Sequence, residues 1–322
     1  MTIQETAPSG MKGHSITWND LTWVNLHQPS RAEMEYLGNL YHLHQLELED
    51  CMSKRQLSKI DEHEDYLFIL LHFPWLLETR QVTRPSQVSI FLGKNYLVTV
   101  HNGDLIPLEQ LFASCEAGEK QRQEALGMGP GYLLYRIVDS LVDYLFPILD
   151  KILERLDEIE DKVFDEKIEA AREITTLRRD IADQRRIVFP LRRIMKTLEK
   201  KAQIFSQRDL TDFFSDVSDH VDKAWETLEE CKEIIDIYND TDFVLSAERT
   251  NKILAVLTVI FTLSIPATVV GTFYGMNLNL PGGIETGPWN FLGAYTTLFI
   301  VLFITLLPAA LMFWLFRRAK WI

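Results

Sequence analysis

ILAVLTVIFTLSIPATVVGTFYGMN, residues 253–277, is the stretch on which the reading of this chain turns. Up to Tyr274 it carries no charged side chain, and as a helix it is long enough to cross the roughly 30 Å hydrocarbon layer of a bilayer. A second uncharged run, residues 291–316, is somewhat longer. Two spans joined by a short loop place that loop at the far face of the membrane, so Asn277 sits where a pore would open. An Asn amide there can face water or a hydrated ion, whereas against lipid it would be an unsatisfied polar group.

The chain has 322 residues, more than one typical domain. Its apolar content is uneven: about the first 250 residues read as soluble and the last 70 or so as membrane. A formal net charge of -13 argues against nucleic acid as a partner. It suits a surface that meets cations, and equally one whose acids keep long helices solvated. Cys51, Cys115 and Cys231 have no close spacing, so they read as reduced thiols rather than disulfide or zinc pairs. Residues 1–15 contain no apolar core flanked by basic residues, which predicts no cleavable signal and a cytoplasmic soluble part. Arg249 and Lys252 precede the first span, and Arg317, Arg318 and Lys320 follow the second. The loop 275–290 has no Lys or Arg, so the positive-inside rule puts both ends in the cytoplasm.

Residues 21–26 and 66–71 read as strands, the second apolar enough to be buried on both faces. Residues 88–92 and 96–100 flank Gly93-Lys94-Asn95, a hairpin signal. A helix is expected over 30–44, after Pro29. Gly127 to Gly131 is a cluster of breakers, after which the chain becomes helical. Leu145, Leu149, Ile152, Leu156, Ile159 and Val163 recur at steps of four and three, the spacing of a buried helix seam. Residues 209–265 contain no Gly or Pro. Within them Val217, Val221, Ala224, Leu228, Cys231, Ile235, Tyr238, Asp242 and Leu245 keep that rhythm, flawed only at Asp242. Such a helix would reach roughly 85 Å, from the cytosol into the bilayer.

Enzyme motifs are missing: no Gly-rich phosphate loop carries its Lys, and His63-Glu64 lacks a second zinc-binding His. His42 and His44, two apart, would lie on different helix faces and read as surface residues. In the first span Thr258, Thr262, Ser264, Thr268 and Thr272 supply hydroxyls, Pro266 can kink the helix, and Asn251 stands at its cytoplasmic entrance. Each hydroxyl alone can equally bond its own backbone; several along one span with an Asn at each end favour a wet path. Leu254, Leu257, Phe261 and Ile265 between them would form apolar constrictions. No carboxylate lies in the span, so a permeating cation is held by neutral oxygens through its waters. Mg2+, which dehydrates reluctantly, fits that arrangement.

In these residues the sequence resembles the CorA family of divalent-cation channels and transporters, from about His44 to the C-terminus. The likeness is densest at 46–50, 87–95, 132–143, 216–220 and 251–277, with the terminal basic-Trp tail. Gly-Met-Asn after a Tyr, following the first of two terminal spans, is a highly specific signature. The resemblance implies an α+β cytoplasmic domain (mixed α/β), long coiled-coil-like helices and two C-terminal transmembrane α-helices in a CorA-like funnel. The expected divisions are a flexible N-terminus (1–15), the α/β domain (16–126), a willow-like helical bundle (127–208), and a stalk helix (209–274) entering the membrane at about 253. A filter loop (275–290), the second span (291–316) and a basic tail (317–322) complete the chain.

The resemblance further implies a homopentamer whose first span lines the pore. Gly275, Met276 and Asn277 match the family's external filter, and Asn251 matches the polar ring at the cytoplasmic mouth. Leu254, Leu257, Ile265 and Thr268 match pore-lining positions, beside Phe261. Arg317, Arg318 and Lys320 match a basic ring. An intersubunit metal sensor is expected from Glu49 and Asp50 facing Asp216 of a neighbour, with Asp219 and Asp61 close by. Mg2+ is then both cargo and regulatory ligand, with Co2+ or Ni2+ as further cargo, no organic cofactor and no nucleotide, in an inner cell membrane. Departures from the family are Leu280-Pro281-Gly282-Gly283 after the filter, with Glu285 as the loop's lone acid, and Leu254 and Ile265 where Met is common. Two other readings stand beside this one, a CorA-like zinc transporter and a non-conducting membrane-anchored metal sensor.

Overall fold

The uninterrupted apolar run in strand β4 (Tyr66–Leu77) sets the middle of the N-terminal sheet. Leu67, Phe68, Ile69, Leu70 and Leu71 are all buried, as a strand covered on both faces requires. The computed structural model describes residues 13–53, 56–77, 82–165, 170–276, 287–288, 291, 293 and 295–319. It divides into two units, Met1–Asn239 and Asp240–Ile322.

The first unit holds a six-stranded mixed sheet in the order β1-β2-β6-β5-β4-β3. Strands β1 (Gly13–Trp18), β2 (Leu21–His27), β3 (Lys59–Glu62), β5 (Val82–Gly93) and β6 (Tyr96–His101) join β4. All neighbours are antiparallel except β2 and β6, which run parallel with Val24 opposite Val98. The β5–β6 hairpin and both expected strands are present. β1 begins at Gly13, inside the segment expected to be loose, because its residues pair with β2.

Helix α1 (Arg31–Tyr41) starts on a capping box: Ser30 Oγ accepts from the Glu33 N–H, and Glu33 Oε2 accepts from the Ser30 N–H at 2.6 Å. The helix expected to reach His44 ends at Tyr41, because His42 turns left-handed (φ 54°). His44 caps a second helix, α2 (Gln45–Met52), accepting from the Leu46 N–H. Met34 and Leu37 of α1 pack with Leu26, Phe68, Phe91 and Val98 of the sheet.

Helices α3 (Ile106–Ala117) and α4 (Glu119–Leu126) follow β6. Then come α5 (Pro130–Asp143), α6 (Leu145–Phe164), α7 (Ala171–Ala202), which reaches β4 and β5, and α8 (Thr211–Gly275). The α6 seam is buried throughout, as are Val217, Val221, Ala224, Leu228, Cys231 and Ile235 of α8. The seam loses burial at Tyr238, whose hydroxyl instead donates to Glu160 of α6 at 2.8 Å. Cys51, Cys115 and Cys231 are free thiols.

The second unit contains the rest of α8 and α9 (Thr296–Arg318). Both helices are long and apolar enough to cross a membrane. The second span starts at Thr296 rather than Phe291, its first turn tied down by the Thr296 hydroxyl donating to Gly293 O.

Candidate transport and metal-sensing sites

From Asn251 to Thr272 the pore-side candidates lie on α8 at steps of three and four, so one helix face carries Asn251, Leu254, Thr258, Phe261, Ile265, Thr268 and Thr272. Leu257 stands one position off that register. In the single chain this face is open: Leu254 is 54%, Phe261 67% and Ile265 53% exposed. Apolar groups so exposed need lipid or other copies of the chain to cover them. Gly275 ends the helix and Met276 follows, its N–H bonded to Phe273 O. Asn277 and Lys320 lie outside the described residues. Arg317 and Arg318 close α9, and the Arg318 guanidinium sits 5.3 Å over the Trp314 ring.

The five hydroxyls of the span share one geometry. Thr258, Thr262, Ser264, Thr268 and Thr272 each donate their O–H to the carbonyl four residues earlier, at 2.7 to 3.0 Å. The self-bonded alternative therefore holds for every one of them. It does not make them inert: with its proton committed to the backbone, each oxygen offers outward only acceptor lone pairs. A hydrated cation presents water hydrogens, which such oxygens can receive.

In the first unit, Asp50 sits in the last turn of α2 and Glu49 is exposed beside it, accepting from Gln45 Nε2. The end of α2 is anchored on β4 and its neighbours: Tyr66 Oη accepts from the His44 N–H and donates to Glu47 Oε2 at 2.6 Å, and Gln87 Nε2 donates to Asp50 O. Asp50 pairs with Lys59 Nζ at 2.8 Å, and Asp61 pairs with the same ammonium. Burial works against the charge on Lys59, but Asp50 and Asp61 outweigh it and raise its pKa.

Asp216 is elsewhere in the chain, on α8, exposed, with Oδ1 4.0 Å from His220 Nε2. His220 joins it to two acids that the sequence reading did not single out. The ligand atoms of Asp139, Asp143 and His220 all lie within 4.8 Å of one another. Burial first, then the neighbouring Asp143 and Asp216, raise the Asp139 carboxyl above its usual range, with Arg136 opposing. His220 Nδ1 is shielded from solvent without a hydrogen-bond partner, 3.5 Å from Asp143 Oδ1. Carboxylates crowded around a solvent-shielded imidazole nitrogen fit a divalent cation: the oxygens suit Mg2+, the imidazole Co2+, Ni2+ or Zn2+. Asp219 is exposed nearby on the same helix. Each pair, Asp139/Asp143 and Asp216/His220, is spaced i, i+4, a legible sign that each shares a helix face.

A third cluster, His27, His101 and Glu109, also has its ligand atoms close together. It is a different kind of site. His101 Nδ1 accepts from the Gly103 N–H, so the neutral ring keeps its proton on Nε2 and donates to Glu109 Oε1 at 2.9 Å. Metal ligation through Nε2 would break that arrangement, and the cluster instead locks β2 and β6 to α3.

The two exposed apolar helices at the end of an α+β chain define an integral membrane protein, and the comparisons place it among metal-ion transporters. A profile described as CorA-like Mg2+ transporter protein matches residues 18–318. The protein named Putative metal ion transporter YfjQ of Bacillus subtilis (strain 168) is 30% identical over 271 residues, covering 80% of this chain and 78% of its own. The Cobalt/magnesium transport protein CorA of Thermotoga maritima is 26% identical over 305 residues, 94% of this chain and 83% of its own. The complete structure of the CorA magnesium transporter from Methanocaldococcus jannaschii matches with a TM-score of 0.77 over 95% of this chain and 94% of that one, at 20% identity. The chain belongs to the CorA family of divalent-cation transporters, whose members move ions and are not enzymes.

Proposed function

We propose that copies of this chain assemble as a homopentamer in the inner cell membrane, with both termini cytoplasmic, and admit divalent cations, foremost Mg2+ with Co2+ and Ni2+ accepted. The observation that carries this reading is that one helix, α8, bears both the Asp216–His220 pair and the uncharged stripe from Asn251 to Thr272. The relatives named for cobalt and magnesium transport support the choice of cargo.

The Gly275-Met276-Asn277 segment meets the ion first, the Asn277 amide accepting from its water shell. Acceptor-only oxygens of Thr258, Thr268 and Thr272 then receive those waters in turn, so the ion need not be stripped. Leu254, Phe261 and Ile265 form apolar rings that pass ions only when wetted. Entry needs no nucleotide: a divalent ion gains roughly 4.6 kcal/mol per 100 mV of membrane potential.

Asp139, Asp143, Asp216 and His220, with Asp50 of an adjacent copy, make the cytosolic sensor. A bound divalent cation supplies positive charge that relieves the repulsion among these acids. With the acids unrelieved, the α8 helices separate and the pore widens.

The test is flux into proteoliposomes under an imposed potential, with Mg2+, Co2+, Ni2+ and Zn2+ offered outside and internal Mg2+ either absent or in the millimolar range. Entry of Mg2+ that slows with internal Mg2+ is expected. Zn2+ entry alone would favour a zinc transporter, and binding without any flux a sensor; either result overturns the reading.

A further inference from the structure

Asp50 stands in the last turn of α2, where the negative end of the helix dipole disfavours a carboxylate, and the helix has no base of its own in that turn. The countercharge comes from β3. Lys59 Nζ lies 2.8 Å from Asp50 Oδ2 and 2.5 Å from Asp61 Oδ2. Lys59 and Asp61 are two apart on the strand and so share a face, opposite Leu70 and Phe68 of β4. The ammonium also rests 5.4 Å from the centre of the Phe68 ring, which restricts where its stem can swing. The Asp50 side chain is only 18% exposed, so an ion approaching it meets a carboxylate whose charge is already countered.

We infer that Lys59 is a built-in competitor of the divalent cation at the Asp50 half of the sensor. The inference rests on the reading of Asp50 as part of that sensor. Asp50, Asp61 and Lys59 together carry one net negative charge; without the ammonium they carry two, and a divalent cation is held more tightly. Lys59 thereby sets the cytosolic concentration at which the sensor fills, keeping the site empty until the cation is plentiful. A lysine that merely positioned Asp50 would act with the opposite sign, since its loss would free the carboxylate to wander.

The experiment measures the Mg2+ dissociation constant by isothermal titration on the detergent-solubilised full chain, together with the internal Mg2+ that halves flux in proteoliposomes. Lys59→Met should lower both by about threefold to tenfold, the range for a partly buried ion pair. Lys59→Arg, which keeps the charge, should stay near the parent values. If Lys59→Met fails to fold by circular dichroism, Lys59→Gln provides the same readout. Unchanged or weaker binding in the charge-removing variants overturns the inference, provided that Asp50→Asn does weaken binding. If Asp50→Asn alters neither measurement, the reading of Asp50 as a sensor residue falls, and the role of Lys59 with it.

Discussion

Asp139→Asn should change the sign of its effect with metal. The ligand atoms of Asp139 and Asp143 lie within 4.8 Å of one another. Two negative charges at that range repel by roughly 3–4 kcal/mol at an effective dielectric constant of 20. Asp143 is 58% exposed, and solvent screening brings this down to about 1 kcal/mol. Removing one charge should therefore stabilise the metal-free protein, raising its melting temperature by about 2–4 °C for a unit of this size. With Mg2+ a hundredfold above its dissociation constant, the parent gains about 2.7 kcal/mol from occupancy. The variant, whose neutral amide oxygen is a weaker ligand than the carboxylate it replaces, should forgo most of that gain, so the two melting curves exchange order between chelator and saturating Mg2+. Differential scanning fluorimetry of the full chain in detergent reads both arms. A lower melting temperature in chelator, or an undiminished Mg2+ increment in the variant, would refute the reasoning.

Asn277→Ala should abolish selective uptake while size-exclusion chromatography shows unchanged assembly, because the role proposed for it is to receive hydrogen bonds from a hydrated ion; normal uptake would remove the filter reading. Burial, with His27 adding, holds the His101 imidazole down at about 3, whereas the unfolded chain takes the proton near the ordinary value of 6.5. Falling pH therefore favours the unfolded state between those values, by up to about 1.4 kcal/mol per pH unit. Urea melts of His101→Gln between about pH 5 and 6.5 should show a flatter pH dependence than the parent. A Cβ at position 131 would meet Ala202 O at 2.9 Å and Ser206 Cβ and Leu210 Cδ1 at 3.0 Å. Gly131→Ala should cost about 1–3 kcal/mol, and an unchanged urea midpoint would contradict that packing.

The buried seams of α6 and of the first half of α8 could be read from spacing alone, because a four-three rhythm over many turns admits one face. The same holds for β4, whose apolar run leaves no polar side to expose. Other features depended on contacts that no local pattern encodes. β3 is a short, charged edge strand, Lys59 to Glu62, without apolar alternation. The break between α1 and α2 rests on His42 entering a left-handed conformation, which few residue types advertise. The i, i+4 pairs on α5 and α8 were visible separately, and only their packing brings Asp143 within reach of His220. The ion pair of Lys59 with Asp50 likewise joins a strand to the end of a helix.

The parallel pairing of β2 with β6 carries a consequence for synthesis. β2 cannot find its partner until His101 has left the ribosome, so the sheet closes late relative to its first strand. Even so, residues 1–239 are translated before the apolar run at 253–274. At about 5–20 residues per second, translation of those residues takes roughly ten to fifty seconds. All six strands of the sheet are thus outside the ribosome before the apolar run at 253–274 is made.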